Sequence, residues 1–128
     1  MTLSATSISP LSPDPSQISQ TEGLSDYIFP LEDLASQISY TTDRFQSKIL
    51  LDHAGQKTIL FAFAQGQELK THTTPTDALL LVLEGECAFL FPQDEKEQTL
   101  KAGQIIRIPA QVQHALKAIS DFKMVLIK

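Results

Sequence analysis

The sequence predicts an all-β chain: an antiparallel β-barrel or jelly-roll sandwich, entered by one short N-terminal helix and a flexible N-terminal tail. Three observations predict it. From Arg44 onward, short apolar and β-branched runs follow one another, separated by turns that carry Gly, Pro or Asp. No second long amphipathic stretch interrupts them, so helices cannot form the other half of the core. The chain has 128 residues, 42% hydrophobic and 20% charged, which suits one core and leaves little room for a second domain.

Residues 1–25 read as the tail. They hold Ser4, Ser7, Ser9, Ser12, Ser16, Ser19 and Ser25 with Pro10, Pro13 and Pro15, a composition that buries little apolar surface. Ile8, Leu11, Ile18 and Leu24 are the tail side chains suited to packing on a neighbouring subunit. The barrel domain is expected over 26–128. Pro30 to Ile38 reads as the helix: Pro starts it, Glu32 and Asp33 sit in its first turn, and Leu31, Leu34 and Ile38 share a face.

Strands are expected over 46–51 and 57–63, around the loop Asp52-His53-Ala54-Gly55-Gln56. The next pair, 79–83 and 87–91, flanks Glu84-Gly85-Glu86. A short strand over 98–101 precedes Ala102-Gly103, and one over 104–108 closes at Pro109-Ala110. Strands over 114–118 and 122–127 complete the chain. Gly66, Gly85 and Gly103 are expected to serve turns with positive φ. Leu79 to Leu83 is apolar on both faces, so its outer face needs a cover, either a second copy or the N-terminal helix and tail. In the dimer case, a charge at Leu80 or Val82 is expected to break the association.

Charge excludes some partners. Net charge is −5, yet residues 1–43 hold six acidic residues and no Lys or Arg, while 44–128 hold ten basic against nine acidic residues. The folded part is nearly neutral and has no basic run, so no nucleic-acid partner is expected. No apolar run is long enough to span a membrane, and no basic, apolar leader is visible, so a cytoplasmic location is expected. Cys87, the only cysteine, excludes an intramolecular disulfide and reads as a small buried hydrophobe beside the acidic Glu84 and Glu86. No phosphate-binding Gly loop and no nucleophile elbow occur.

Three histidines carry the remaining chemistry. His53 sits in a turn and reads as solvated. His72 and His114 each follow a turn segment, and in a small barrel two such positions can turn both imidazoles inward, where they suit a first-row transition metal. Around His72 the chain runs Thr71-His72-Thr73-Thr74-Pro75-Thr76-Asp77-Ala78, which offers hydroxyls and a carboxylate for a polar pocket.

These residues resemble the two motifs of the cupin superfamily, in particular small single-domain cupins of the type-2 kind. The first motif is G-x5-H-x-H-x3,4-E-x6-G; here it reads Gly66, His72, Thr74, Ala78 and Gly85. The second is G-x5-P-x-G-x2-H-x3-N; here it reads Gly103, Pro109, Gln111, His114 and Ala118. The likeness spans about 28–128, with an intermotif segment, 86–102, of compact length. It implies a cupin barrel and a metal set of three His and one Glu, of which His72 and His114 are kept while Thr74 and Ala78 stand at the other two positions. Asp77 lies one residue before the Glu position, so on a regular strand it points to the opposite face. Gln104, Gln111 and Cys87 are further donor-bearing residues.

The resulting expectation is a cupin that binds a small polar molecule in an interior lined by His72, Thr74, Asp77 and His114. A divalent metal (Zn, Ni, Mn or Fe) held by His72 and His114, or no metal, is open at this point. The resemblance also implies a homodimer. The alternatives are a metal-dependent cupin enzyme of isomerase, lyase or dioxygenase type, and a regulatory or structural dimer with a vestigial pocket.

Overall fold

Nine antiparallel strands form two sheets that enclose one core, as seen in a computed structural model that describes residues 33–128. The expected tail and the first positions of the expected helix lie outside the described residues. The strands are β1 (Gln46–His53), β2 (Gln56–Phe63), β3 (Glu68–His72), β4 (Ala78–Glu84), β5 (Glu86–Phe91), β6 (Lys96–Lys101), β7 (Ile105–Ile108), β8 (His114–Ala118) and β9 (Phe122–Ile127). One sheet has the order β1-β2-β9-β4-β7 and the other β3-β8-β5-β6.

Period-two alternation builds the core. On β4, Ala78, Leu80 and Val82 are buried and point into the sandwich, and on β8 His114, Leu116 and Ala118 do the same. Phe63, Phe89 and Phe122 are fully buried between the sheets. The barrel end near Phe45 is closed by a ring stack, with Phe45 and Phe63 centroids 4.8 Å apart and Phe63 and Phe122 5.8 Å apart.

Several boundaries differ from expectation for local reasons. The β1–β2 loop is a two-residue turn, because Ala54 (φ 52°) and Gly55 (φ 82°) both take left-handed backbone and let the strands pair up to His53 and Gln56. Strand β3 was missed: Glu68-Leu69-Lys70-Thr71-His72 has one apolar residue and a weak signature.

The helix expected over 30–38 shrinks, among the described residues, to a single 3-10 turn, Leu34–Gln37. The Ser36 hydroxyl and its backbone N–H both donate to the Asp33 carbonyl, at 2.6 and 3.0 Å, which fixes an i to i+3 turn. Ile38 then turns extended (φ −146°, ψ 148°) and buries its side chain with Leu60, Ala62 and Val125.

That burial also settles how part of the large sheet's outer face is covered. Leu34, Ile38 and Tyr40 pack there with Leu83. Lys123 anchors the segment: its Nζ donates to the Ala35 carbonyl at 2.5 Å, lies 4.9 Å from the Tyr40 ring centre and 3.7 Å from Glu84. Tyr40 donates its hydroxyl to Glu84 at 2.5 Å; burial and then this carboxylate raise the phenol well above its ordinary range. Leu80 and Val82, expected to meet a partner, instead face the interior at 1% exposure each. The outward side chains of β4 are Leu79, Leu81 and Leu83.

Candidate functional site

The site begins with a register shift. On β8, Leu116 and His114 are two residues apart; on β3 their partners Leu69 and His72 are three apart. The extra residue is a β-bulge, and it changes which face of β3 looks inward. With regular alternation from Leu69, Thr71 would face the core and His72 would not. The bulge places His72 directly opposite His114, with ring centroids 4.3 Å apart at an interplanar angle of 58°.

Each ring is oriented by the backbone carbonyl two residues before it. His72 Nδ1 lies 2.8 Å from the Lys70 carbonyl oxygen, and His114 Nδ1 lies 2.9 Å from that of Val112. A carbonyl only accepts, so each Nδ1 carries the hydrogen and each neutral ring keeps its lone pair on Nε2. Phe89 backs His114 with its ring nearly parallel, 8° at 5.9 Å. His114 is 4% exposed, and burial lowers its pKa; the Val112 carbonyl opposes this and His72 adds to it. His114 is thus held neutral, an acceptor at Nε2, at ordinary pH.

The two histidines line an interior cavity of about 10 Å³, together with Leu69, Thr74, Ala78, Leu80, Phe89, Ile108, Leu116, Met124 and Leu126. Room of that size holds about one water. Apart from His72, Thr74 and His114 the wall is apolar, and no charged side chain contributes to it. Thr74 is buried and donates its hydroxyl to the Thr76 carbonyl at 2.9 Å. His72 and Leu69 are only half-buried and form the mouth.

Three of the four expected site residues therefore meet. Asp77 does not join them. Ala78 begins β4 facing inward, so Asp77 faces outward, where its carboxylate pairs with Arg107 at 3.2 Å and accepts the Ala110 N–H at 2.8 Å. Gln104 is exposed and accepts the Lys101 N–H. Gln111 occupies a glycine position of the second motif and takes the backbone a glycine would, φ 66°, while its N–H donates to the Thr74 carbonyl at 2.8 Å. Cys87 is fully buried away from the cavity wall, and burial pushes its thiol up to about 12, which leaves it inert. The lining residues Leu69, Phe89 and Met124 were not foreseen; only their inward phase on a strand marks them.

A family model for the cupin domain matches residues 59–128, more than half of the chain. The chain belongs to the cupin family. Solved structures agree. A conserved protein of unknown function from Streptococcus pyogenes is 28% identical with a TM-score of 0.71, over 78% of this cupin and 86% of that chain. A cupin superfamily protein from Desulfitobacterium hafniense is 29% identical at the same TM-score, over 77% and 92%. A cupin 2 conserved barrel domain protein from Leptotrichia buccalis is 33% identical, TM-score 0.68, over 73% of this cupin and 45% of that longer chain. No curated protein matches the cupin in sequence.

Cupins often bind a metal, so the donor set was tested against one. Among the described residues, no group of three or more His, Cys, Asp or Glu side chains could hold an ion. Two imidazoles are available, the Thr74 hydroxyl is a neutral and poor ligand, and Ala78 has no donor atom. These residues do not fit a divalent transition ion, which needs three or more protein donors. Among the described residues, no helix is long and apolar enough to cross a membrane.

Proposed function

We propose that this cupin binds a compact small molecule, apolar in body, whose hydrogen-bond donor meets the Nε2 atoms of His72 and His114. The observation that carries this reading is the paired imidazoles, each with Nδ1 tied to a backbone carbonyl and both opening on one cavity. Two fixed acceptors in an apolar enclosure favour a hydroxyl or N–H donor, because such a group left unpaired there is costly. Entry of anything larger than water requires the mouth to open. β3 is an edge strand with a bulge between Leu69 and His72, so both mouth residues sit where the ladder is weakest. An enzyme of metal-dependent type needs a further donor that Ala78 does not offer.

Thermal denaturation with butanol, cyclohexanol and phenol as probes tests the reading. At saturation at least one is expected to raise Tm by about 5 °C, unaffected by a chelator, with the rise lost in His114→Leu. If none of these moves Tm, the reading fails.

We further propose a cytoplasmic homodimer, its second copy covering what segment 33–40 leaves bare. Leu79 pairs with Ile127 across the outer face and Leu81 with Ile105, and Leu79, Ile105 and Ile127 are exposed by 39%, 57% and 41%. The doublet Leu79→Lys with Ile105→Lys is expected to halve the mass seen by light scattering. A parent chain of monomer mass would sink the proposal.

A further inference from the structure

We propose that Thr74 and Ala78 decide what the barrel interior admits: with these side chains the cavity turns away divalent transition ions and accepts an uncharged occupant. This rests on the reading of the cavity as a binding site. His72, Thr74, Ala78 and His114 all line one small space, and the last three are 5%, 2% and 4% exposed, so each side chain has nowhere else to look.

Two of these positions present nitrogen lone pairs, one a neutral hydroxyl oxygen and one no donor atom at all. The Ala78 methyl has no donor, and the Thr74 hydroxyl, whose hydrogen goes to the Thr76 carbonyl, is a neutral oxygen and a poor ligand for a transition ion. No anion compensates. Asp77, the nearest carboxylate in sequence, is held outside by both Arg107 and the Ala110 N–H, and its strand phase opposes an inward turn. A dication here would sit against apolar walls with two neutral ligands, so its lost hydration would be largely unreplaced. An uncharged donor loses far less and gains two acceptors.

The same geometry predicts the reverse change. Thr74→His with Ala78→Glu places the missing nitrogen and a carboxylate at buried positions already facing the imidazole pair. The full chain, purified without an affinity tag, is incubated separately with Zn(II), Ni(II) and Mn(II), desalted and assayed by elemental analysis. The parent is expected to retain less than about 0.1 equivalent of each, and the double variant about one equivalent of at least one, with a raised Tm.

Near-stoichiometric metal in the parent, lost in His72→Ala, would overturn the proposal. So would a folded double variant that stays empty. Both new side chains are larger than the old, so folding is checked by circular dichroism; if the doublet does not fold, Thr74→His alone, with three donors, is judged by the same two outcomes. The small-molecule melts separate this inference from the reading beneath it. A parent that binds metal defeats only the inference, whereas one that binds neither metal nor any probe defeats the reading of the cavity itself.

Discussion

Gly85→Ala is expected to cost about 4 kcal/mol or more, enough to abolish folding or lower Tm by well over 10 °C. Gly85 joins β4 to β5 at φ +77°, where an L side chain is strained by about 1–3 kcal/mol. Strain is the smaller part. An added Cβ would stand 1.8 Å from the Asp121 carbonyl oxygen and 2.9 Å from the Phe122 Cα, both backbone atoms. They cannot retreat cheaply, because the 119–121 turn is clamped to the next residue. The Glu86 carbonyl accepts the N–H groups of Ile119 and Ser120, and the Ser120 hydroxyl accepts the Glu86 N–H at 3.0 Å. Phe122, fully buried, then enters β9 at the centre of the large sheet. Gly103→Ala is the control: φ is +87°, but nothing lies within 4 Å, so only the conformational cost of about 1–2 kcal/mol applies. Urea denaturation of both variants checks the contrast, and equal losses would show that crowding at Gly85 is not the cause.

Gly85 also marks what could be read in the sequence. Its spacing in the first motif, and that of Gly66 and Gly103, located turns that do take positive φ. Apolar alternation located every strand except β3, and motif spacing singled out the two histidines that come to face each other. Single-residue phase decided the rest, and phase is where composition is silent. One additional residue between Leu69 and His72 turns His72 inward. The regular start of β4 turns Asp77 outward despite its neighbourhood of cavity residues. In the same way Leu80 and Val82 fell to the core and Leu79 and Leu81 to the outer face, a choice that an unbroken apolar run does not encode. The helix expected near Pro30 depended on tertiary competition: Ile38 gains more by lying extended on Leu60 and Val125 than by completing a turn. Cavity size was beyond any pattern, since it follows from how Phe89, Met124 and Leu126 fill the space around the imidazoles.

Phe89→Ala is expected to destabilise the chain by about 3–5 kcal/mol, the range for truncating a fully buried aromatic ring. Phe89 lies at the middle of β5, pairs with Leu116 on one side and Gln98 on the other, and has its ring against Phe91 at 5.1 Å and His114 at 5.9 Å. These neighbours are held by two ladders, so they cannot collapse into the space left behind. The loss should appear as a lower urea midpoint with an unchanged denaturant slope. What sets this variant apart from an ordinary core truncation is where the void opens. Phe89 already forms part of the cavity wall, so the new space joins the 10 Å³ beside the imidazole pair and becomes large enough for an apolar guest. Benzene is therefore expected to raise Tm more in Phe89→Ala than in the parent, where a guest must first open the mouth and benzene has no donor for the imidazoles. Phe63→Ala, in the separate ring cluster with Phe45 and Phe122 and outside the cavity wall, should lose similar stability, but its void would not join the histidine cavity. Phenol, which adds a hydroxyl to the same ring, should then protect Phe89→Ala more than benzene does if Nε2 of His72 and His114 accept from it, and equally if they do not.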